Sequence, residues 1–300
     1  ADYEGARLSL AGQVARAWYA IIESEQQLEL AKQMTETFEK NQAFIANRFD
    51  NGLASSLEND LATSALASSQ ATEAKREMLK SVQIKEFESL LGGYPKGDVD
   101  SNFSDALPEL TVAPLTTTPA QVMENRPDLQ AARSQLEASG YDLSAAKMSF
   151  LPSFSMTGGP GSRSEDFGDL LDNRFRTWEI SGAVTQPLFN GGRIRANIRR
   201  SEALRKAAEA NYRAVAIRAF TEAETLIANE SFLKKEENYL KNASMAAQTA
   251  AKTSWDRYQR GVQGIFDTLE SQRRAFDAES RLLSSRKERI FNRINLFLAL

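Results

Sequence analysis

Apolar residues recur at helical spacing over residues 6–48: Leu8, Ala11, Val14, Ala15, Trp18, Ile21, Ile22, Leu28 and Leu30, then Met34, Phe38 and Ile45. Gly52 stops this element as a glycine just past a helix C-terminus does, and Ser55 or Ser56 caps a second helix over about 56–91. Gly92-Gly93-Tyr94-Pro95 ends it. Periodicity is then lost over 94–119, where Pro95, Pro108, Pro114 and Pro119 recur among Ser and Thr, which predicts an extended connection. Thr118 or Pro119 opens a short helix to Glu124, and Pro127 starts another, to about Phe150, which Leu151-Pro152 breaks. Here the period changes. Residues 153–157 alternate as Ser-Phe-Ser-Met-Thr, a Gly-rich polar loop follows, and 175–189 alternates again. Trp178, Ile180, Gly182, Val184 and Leu188 fall on one side, Thr177, Glu179, Ser181 and Thr185 on the other. Beyond Asn190-Gly191-Gly192, no Pro or Gly occurs from Ile194 to Tyr258, which predicts a helix about 90 Å long.

The pattern also contains itself twice. Arg48-Phe49-Asp50-Asn51-Gly52 is followed by Glu58, and Arg257-Tyr258-Gln259-Arg260-Gly261 by Asp267 at the same remove. Gly52 and Gly261 lie 209 positions apart, and that offset aligns Val14–Leu91 with Ala223–Leu300 without a gap. Side chains differ away from the turns, so the copies share geometry: long helix, tight turn at a glycine of positive φ, long helix. Hairpins this long and this alike suit a tube of helices.

Composition narrows the chemistry. The chain has 300 residues, a net charge of −3 and neither His nor Cys. That removes thiol nucleophiles, Cys/His metal sites, Ser-His-Asp triads and disulfides. No acid–base constellation stands out among 40 scattered carboxylates, no P-loop motif occurs, and no cofactor or metal is expected. Arg193, Arg195, Arg199, Arg200 and Arg205 cluster, but without interleaved aromatics, which argues against nucleic acid. Anionic headgroups, lumenal carboxylates or plain solvent remain as their surroundings. Trp18, Phe38, Phe44, Phe220 and Trp255 read as helix packing. No apolar run is long enough for a transmembrane helix, yet a mean hydropathy of −0.44 does not exclude a β-barrel, whose strands alternate. A lone strand pair is marginal in water. Either it packs on a helical bundle, or pairs from other subunits complete a closed barrel. The second reading offers Phe154, Met156, Trp178, Ile180 and Val184 to lipid, and the hydroxyls with Glu179 to a lumen.

Gly-Leu-Ala-Ser-Ser-Leu-Glu (52–58), Arg-Pro-Asp-Leu (126–129), Phe-Leu-Pro-Ser-Phe (150–154), Gln-Pro-Leu-Phe-Asn-Gly-Gly (186–192) and Arg-Tyr-x-x-Gly-(x)5-Asp-x-x-Glu (257–270) occur in this order. In them the chain resembles the TolC/OprM-like outer-membrane efflux channels over essentially its whole length. The resemblance implies a mainly α fold with a β-hairpin: long antiparallel helical hairpins in a trimeric α-barrel, the strand pair joining a transmembrane β-barrel. Residues 1–93 become the first hairpin with its periplasmic tip near 49–57, 94–125 an extended connector, and 126–150 a barrel helix. Residues 151–192 become the outer-membrane β-hairpin and 193–300 the second long hairpin, its tip near 258–267. Family members carry two strand pairs per protomer, and many carry an N-terminal lipidated Cys. This chain shows one pair and no such Cys, so a piece of a longer protein is expected.

The same resemblance implies a homotrimeric exit duct from periplasm to exterior, working with a periplasmic adaptor, an inner-membrane transporter and outer-membrane lipid. It passes drugs or other small molecules. A type I protein secretion duct and a non-channel periplasmic coiled-coil scaffold are the alternatives. Phe266, Asp267 and Glu270 match the family's constriction, with Phe266 and Glu270 sharing a helix face, and in a trimer their carboxylates would raise one another's pKa. A solvated helix position is the other reading of Glu270. Gly52, Glu58, Tyr258, Gly261 and Gln263 mark the tips and the surface an adaptor meets. Some members have an Arg at the Gln263 position that ties the closed state together. Tyr258 and Glu58 remain able to hydrogen-bond between hairpins.

Overall fold

The computed structural model describes residues 2–97, 107–110, 126–165, 168 and 173–300. Its elements are α1 (Asp2–Asp50), α2 (Ser56–Leu90), α3 (Pro127–Met148), β1 (Ser153–Ser162), β2 (Arg176–Thr185), α4 (Arg193–Gln259) and α5 (Ile265–Ala299). They belong to two compact units, Ala1–Pro127 with Arg218–Leu300, and Asp128–Ile217. Among the described residues no helix is long and apolar enough to cross a membrane.

In the first unit α1 packs on α2 and on α5. Two apolar clusters hold these helices. Ile21, Ile22, Ile84, Phe87 and Ile290 form one, and Leu107 from the connector completes it at 8% exposure, with Leu110 packed alongside. The connector is thus docked on the helices at this point, where the sequence predicts an extended link; its short helix to Glu124 lies outside the described residues. The second cluster, Phe38, Ile45, Ala62, Tyr258, Ile265 and Leu269, draws all four hairpin helices together near the glycine turns. Phe44 and Trp255 flank it with ring centroids 5.6 Å apart. Trp18 is the exception to the expected aromatic packing: it touches Phe87 at 5.7 Å but remains 39% exposed.

Between the apolar clusters the helices are joined by polar side chains. Gln27 donates to the Ser280 carbonyl at 2.9 Å and to Ser284 Oγ at 3.3 Å, and Lys287 pairs with Glu23 at 3.0 Å. Asn41 donates to Gln272 Oε1 at 2.7 Å. Arg289 and Arg293, both under 10% exposed, share Glu230 at 3.2 and 2.7 Å, and Arg289 also reaches Glu237 at 2.8 Å and the Leu110 carbonyl at 3.4 Å. Buried guanidinium groups are tolerated because they are paired with carboxylates, although Arg293 Nε is buried without a hydrogen-bond partner. Arg126, of the Arg-Pro-Asp-Leu motif, bridges Glu222 at 2.9 Å and the Ala299 carbonyl at 3.2 Å, which fixes the end of α5.

In the second unit α3 buries the stripe Leu129, Ala132, Ser139, Leu143 and Ala146. β1 and β2 pair antiparallel from Ser153↔Thr185 to Ser162↔Arg176. β1 therefore runs five residues beyond 157, through the Gly158-Gly159-Pro160-Gly161 stretch that its composition marks as loop. In a two-stranded sheet both strands are edges, so Pro160 can sit opposite Trp178 without interrupting a central ladder.

Candidate gate at the hairpin tips

Both turns close by the same backbone hydrogen bonds. At the first, Gly52 N–H donates to the Phe49 carbonyl at 2.9 Å and Leu53 N–H to Arg48 at 2.7 Å. At the second, Gly261 N–H donates to Tyr258 at 2.9 Å and Val262 N–H to Arg257 at 3.0 Å. This paired closure satisfies the last carbonyls of a helix and requires a left-handed residue. Gly52 has φ 69° and Gly261 φ 73°; a Cβ at either would meet nothing within 4 Å, so backbone conformation alone selects glycine.

The following helix starts differ. Ser55 Oγ accepts from Glu58 N–H at 3.3 Å while Ser55 N–H donates to Glu58 Oε2 at 2.8 Å, a reciprocal cap of α2. Gly264 caps α5 without a side chain. There Gln263 Nε2 donates to Ser254 Oγ, and Thr268 Oγ1 donates to the Gly264 carbonyl at 2.9 Å. Gln263 thus ties its own hairpin together, where an Arg is the family's alternative.

A side-chain hydrogen bond links the two tips. The Tyr258 hydroxyl donates to Glu58 Oε1 at 3.4 Å, and Tyr258 is 4% exposed. Burial raises the Tyr258 pKa and the Glu58 charge adds to that, with Arg48 opposing. Arg48 lies 5.9 Å from the ring centroids of both Phe44 and Tyr258, a cation stacked on the aromatic group that joins the hairpins. In the sequence Arg48 stands out only as the start of the repeated turn motif and Phe44 only as helix packing; the signal for their pairing was their spacing one turn apart.

Phe266 and Asp267 stand exposed in the first turn of α5, and Glu270 lies one turn beyond Phe266 on the same face. Glu270 is held by its own helix: Arg273 binds both carboxylate oxygens at 2.9 Å, and Arg274 binds Oε1 at 2.8 Å. Hydrogen bonds from Arg273, then Arg274, lower its pKa to about 2. Within one chain the direction is therefore opposite to the rise expected for facing carboxylates. Arg273 also bridges Asp277 at 2.6 Å. These partners were readable at three and four residues past Glu270, the spacing at which helix side chains meet. Among the described residues no acidic group is arranged to hold a metal ion.

In the strand pair the register puts Phe154 opposite Val184, and places Met156, Ile180 and Trp178 on that same face. All five are exposed, from 63% to 81%, a contiguous apolar patch on one side of a sheet whose other side is Ser, Thr and Glu179. The Gly52, Glu58, Tyr258, Gly261 and Gln263 set lies at the turns of the two hairpins and shares no element with these strands.

Two glycine-tipped helical hairpins, with an apolar-faced strand pair between them in sequence, make up the fold. Known structures agree: the outer-membrane channel OprN matches with a TM-score of 0.92 at 21% identity, covering 99% of this chain and 67% of that one. The open-state MtrE channel of Neisseria gonorrhoeae matches at 0.87 and 24% identity, covering 99% and 67%. The model of the outer membrane efflux protein family matches residues 1–93 and 118–300, and the chain belongs to that family. Its sequence is similar to OprJ of Pseudomonas aeruginosa (29% identity) and to the solvent efflux pump protein SrpC of Pseudomonas putida (28%). Each alignment covers 98% of this chain and 62% of the relative, so the chain spans less than two thirds of their length. Membership places it at the Gram-negative outer membrane, in a family of passive channels rather than enzymes.

Proposed function

We propose that this chain is the larger part of an outer-membrane exit duct that passively conducts small molecules from an inner-membrane transporter, through a periplasmic adaptor, to the exterior. Three copies form the duct. The observation that carries the reading is the duplicated hairpin, closed by identical glycine turns and joined at the tips through Tyr258 and Glu58. Relatives named for solvent, toluene and antibiotic efflux favour small cargo over a secreted polypeptide. Phe266, Asp267 and Glu270 form the constriction, with Phe266 the apolar ring and Glu270 a fixed negative charge held by Arg273 and Arg274. The turns at Gly52 and Gly261, with Gln263 beside them, form the surface an adaptor meets. Phe154, Met156, Trp178, Ile180 and Val184 face lipid, since their exposure suits hydrocarbon and not water. The test is planar-bilayer recording of the full-length parent. Discrete, small-conductance channels support the duct; trimers in detergent that never conduct would leave a scaffold.

A further inference from the structure

The two ends of the strand pair differ in charge. From Leu143 to Leu151 and from Gln186 to Ser201 the chain carries five cations, Lys147, Arg193, Arg195, Arg199 and Arg200, and no carboxylate. These stretches are the close of α3 and the start of α4 with their links to the strands. Gln186 Nε2 donates to the Phe150 carbonyl at 2.9 Å, which brings the two strand–helix junctions to one level. The far end of the strand pair has no such excess: residues 162–176 hold three arginines and four carboxylates. The basic patch belongs to the helical end alone.

All five cations are exposed, and their side chains make no ion pair or hydrogen bond among the described residues. Elsewhere in the same unit arginines take carboxylates one turn away: Arg213 holds Glu209 at 2.7 Å and Arg133 holds Glu137 at 3.1 Å. Arg195 and Arg199 instead stand one turn apart with like charge, which weakens a helix unless an anion lies beside them. The strands offer one carboxylate, Glu179, six residues from Thr185 and so about 20 Å from this end, out of reach of an arginine. Between the basic patch and the apolar strand face lie Phe150, Leu151, Leu188 and Phe189, all exposed, the last two at 93% and 92%. Apolar sheet, large apolar junction residues and long cations thus follow one another along the unit. That order matches hydrocarbon, interface and headgroup. Arg193 to Arg200 span about 10 Å of helix, about one Debye length at physiological salt, so all four arginines act on one charged layer.

We propose that Lys147, Arg193, Arg195, Arg199 and Arg200 bind the headgroup phosphates of anionic phospholipids in the leaflet next to the helices, the periplasmic one. The inference rests on the reading above that the strand pair faces lipid, and adds which lipid is selected and on which side. Any acyl chain can cover the apolar strand face, so the choice of headgroup falls to the cations. The planar fork of a guanidinium takes two phosphate oxygens at once, which favours a phosphate over a diffuse charge.

In the test, the full-length protein in detergent receives equal amounts of phosphatidylglycerol and phosphatidylcholine with the same acyl chains, and native mass spectrometry reads which lipid stays bound. Phosphatidylglycerol is expected to be preferred. Arg193→Gln should lower that preference about fivefold, and changing Arg193, Arg195, Arg199 and Arg200 together to Gln should abolish it. The same four changed to Lys keep the charge and should keep the preference. Arg163→Gln with Arg176→Gln, at the far end of the strand pair, should leave it unchanged. Bound lipid without headgroup preference, or a preference that survives the four Gln changes, would overturn the site and leave the membrane reading standing. Inorganic phosphate held by these arginines in the absence of lipid would make this a free-anion site and overturn lipid as its occupant. Failure to retain either lipid would overturn the membrane reading, and this inference with it.

Discussion

The shafts of the two hairpins have the same backbone and opposite interiors. Glu230, Glu237, Arg289 and Arg293 form a buried ionic group in the second. The positions equivalent to them in the first are Ile21, Leu28, Lys80 and Ile84, three apolar residues and a half-buried lysine paired with Glu25. The second helices differ to match: α2 buries four residues and α5 fourteen, charged ones included. Helix ends and turns are therefore set by glycine geometry and capping, while the choice between oil and ions inside is open at the same backbone. The ionic version also reaches the connector through the Leu110 carbonyl, whereas the lysine equivalent to Arg289 pairs with Glu25.

The largest expected effect comes from leaving that group half made. Glu230→Ile strands Arg293, leaves Arg289 with only Glu237 and the Leu110 carbonyl, and costs about 3–5 kcal/mol, read as a fall in the thermal or denaturant midpoint. Lys80→Ala, at the equivalent of Arg289, costs less than about 1 kcal/mol because its pair is more exposed. Replacing the ionic set by Glu230→Ile, Glu237→Leu and Arg293→Ile, the first hairpin's residues, with Arg289→Met in place of its lysine, is expected to be neutral or stabilising, since the buried charges are removed together. A loss as large as that of Glu230→Ile alone would refute the equivalence.

At the turns the comparison sharpens in the other direction. Gly52→Val and Gly261→Val should cost the same, about 1–2 kcal/mol each, because both φ values are left-handed and both sites are sterically open. Unequal losses would show that something besides φ selects glycine at one tip. Ser55→Ala should cost about 1 kcal/mol by removing the cap of α2, whereas Gly264→Ser should change the stability of α5 by only a few tenths.

The smallest effect is that of pH on the tip charge. Glu270 is held below its ordinary value of 4.5, at about 2, so its ion pairs stabilise the folded state fully above pH 4.5 and are lost as pH falls through about 2. Its charge does not titrate at neutral pH. Tyr258 is shifted the other way, so its contribution is complete below its ordinary value of 10.0 and is lost as pH rises through its higher folded value. NMR titration of the two groups checks both directions.

Local features were legible in the sequence for physical reasons. Gly52 and Gly261 announce left-handed turns, Ser55 with Glu58 announces a cap, and alternation announces the face shared by Phe154, Met156, Trp178, Ile180 and Val184. The continuation of β1 through Gly158-Gly159-Pro160-Gly161 was not, because those residues have poor strand propensity and are held there by pairing with β2. The docking of Leu107 and Leu110, and the burial of Arg289, arise from partners distant along the chain, beyond the reach of any local period. At the gate, the charge of Glu270 was visible, and the arginines one turn on that neutralise it were equally visible but unread.

The two tips share one backbone design, and the proposed constriction lies on the second alone. Position for position, Phe266 and Glu270 correspond to Leu57 and Leu61, so the first tip lacks the charge. The decisive measurement is single-channel conductance of the full-length protein carrying Phe266→Ala with Glu270→Ala, set beside Leu57→Ala. A several-fold rise for the first variant and none for the second is the result this account requires; equal conductance in both, or a rise at Leu57 alone, would contradict it.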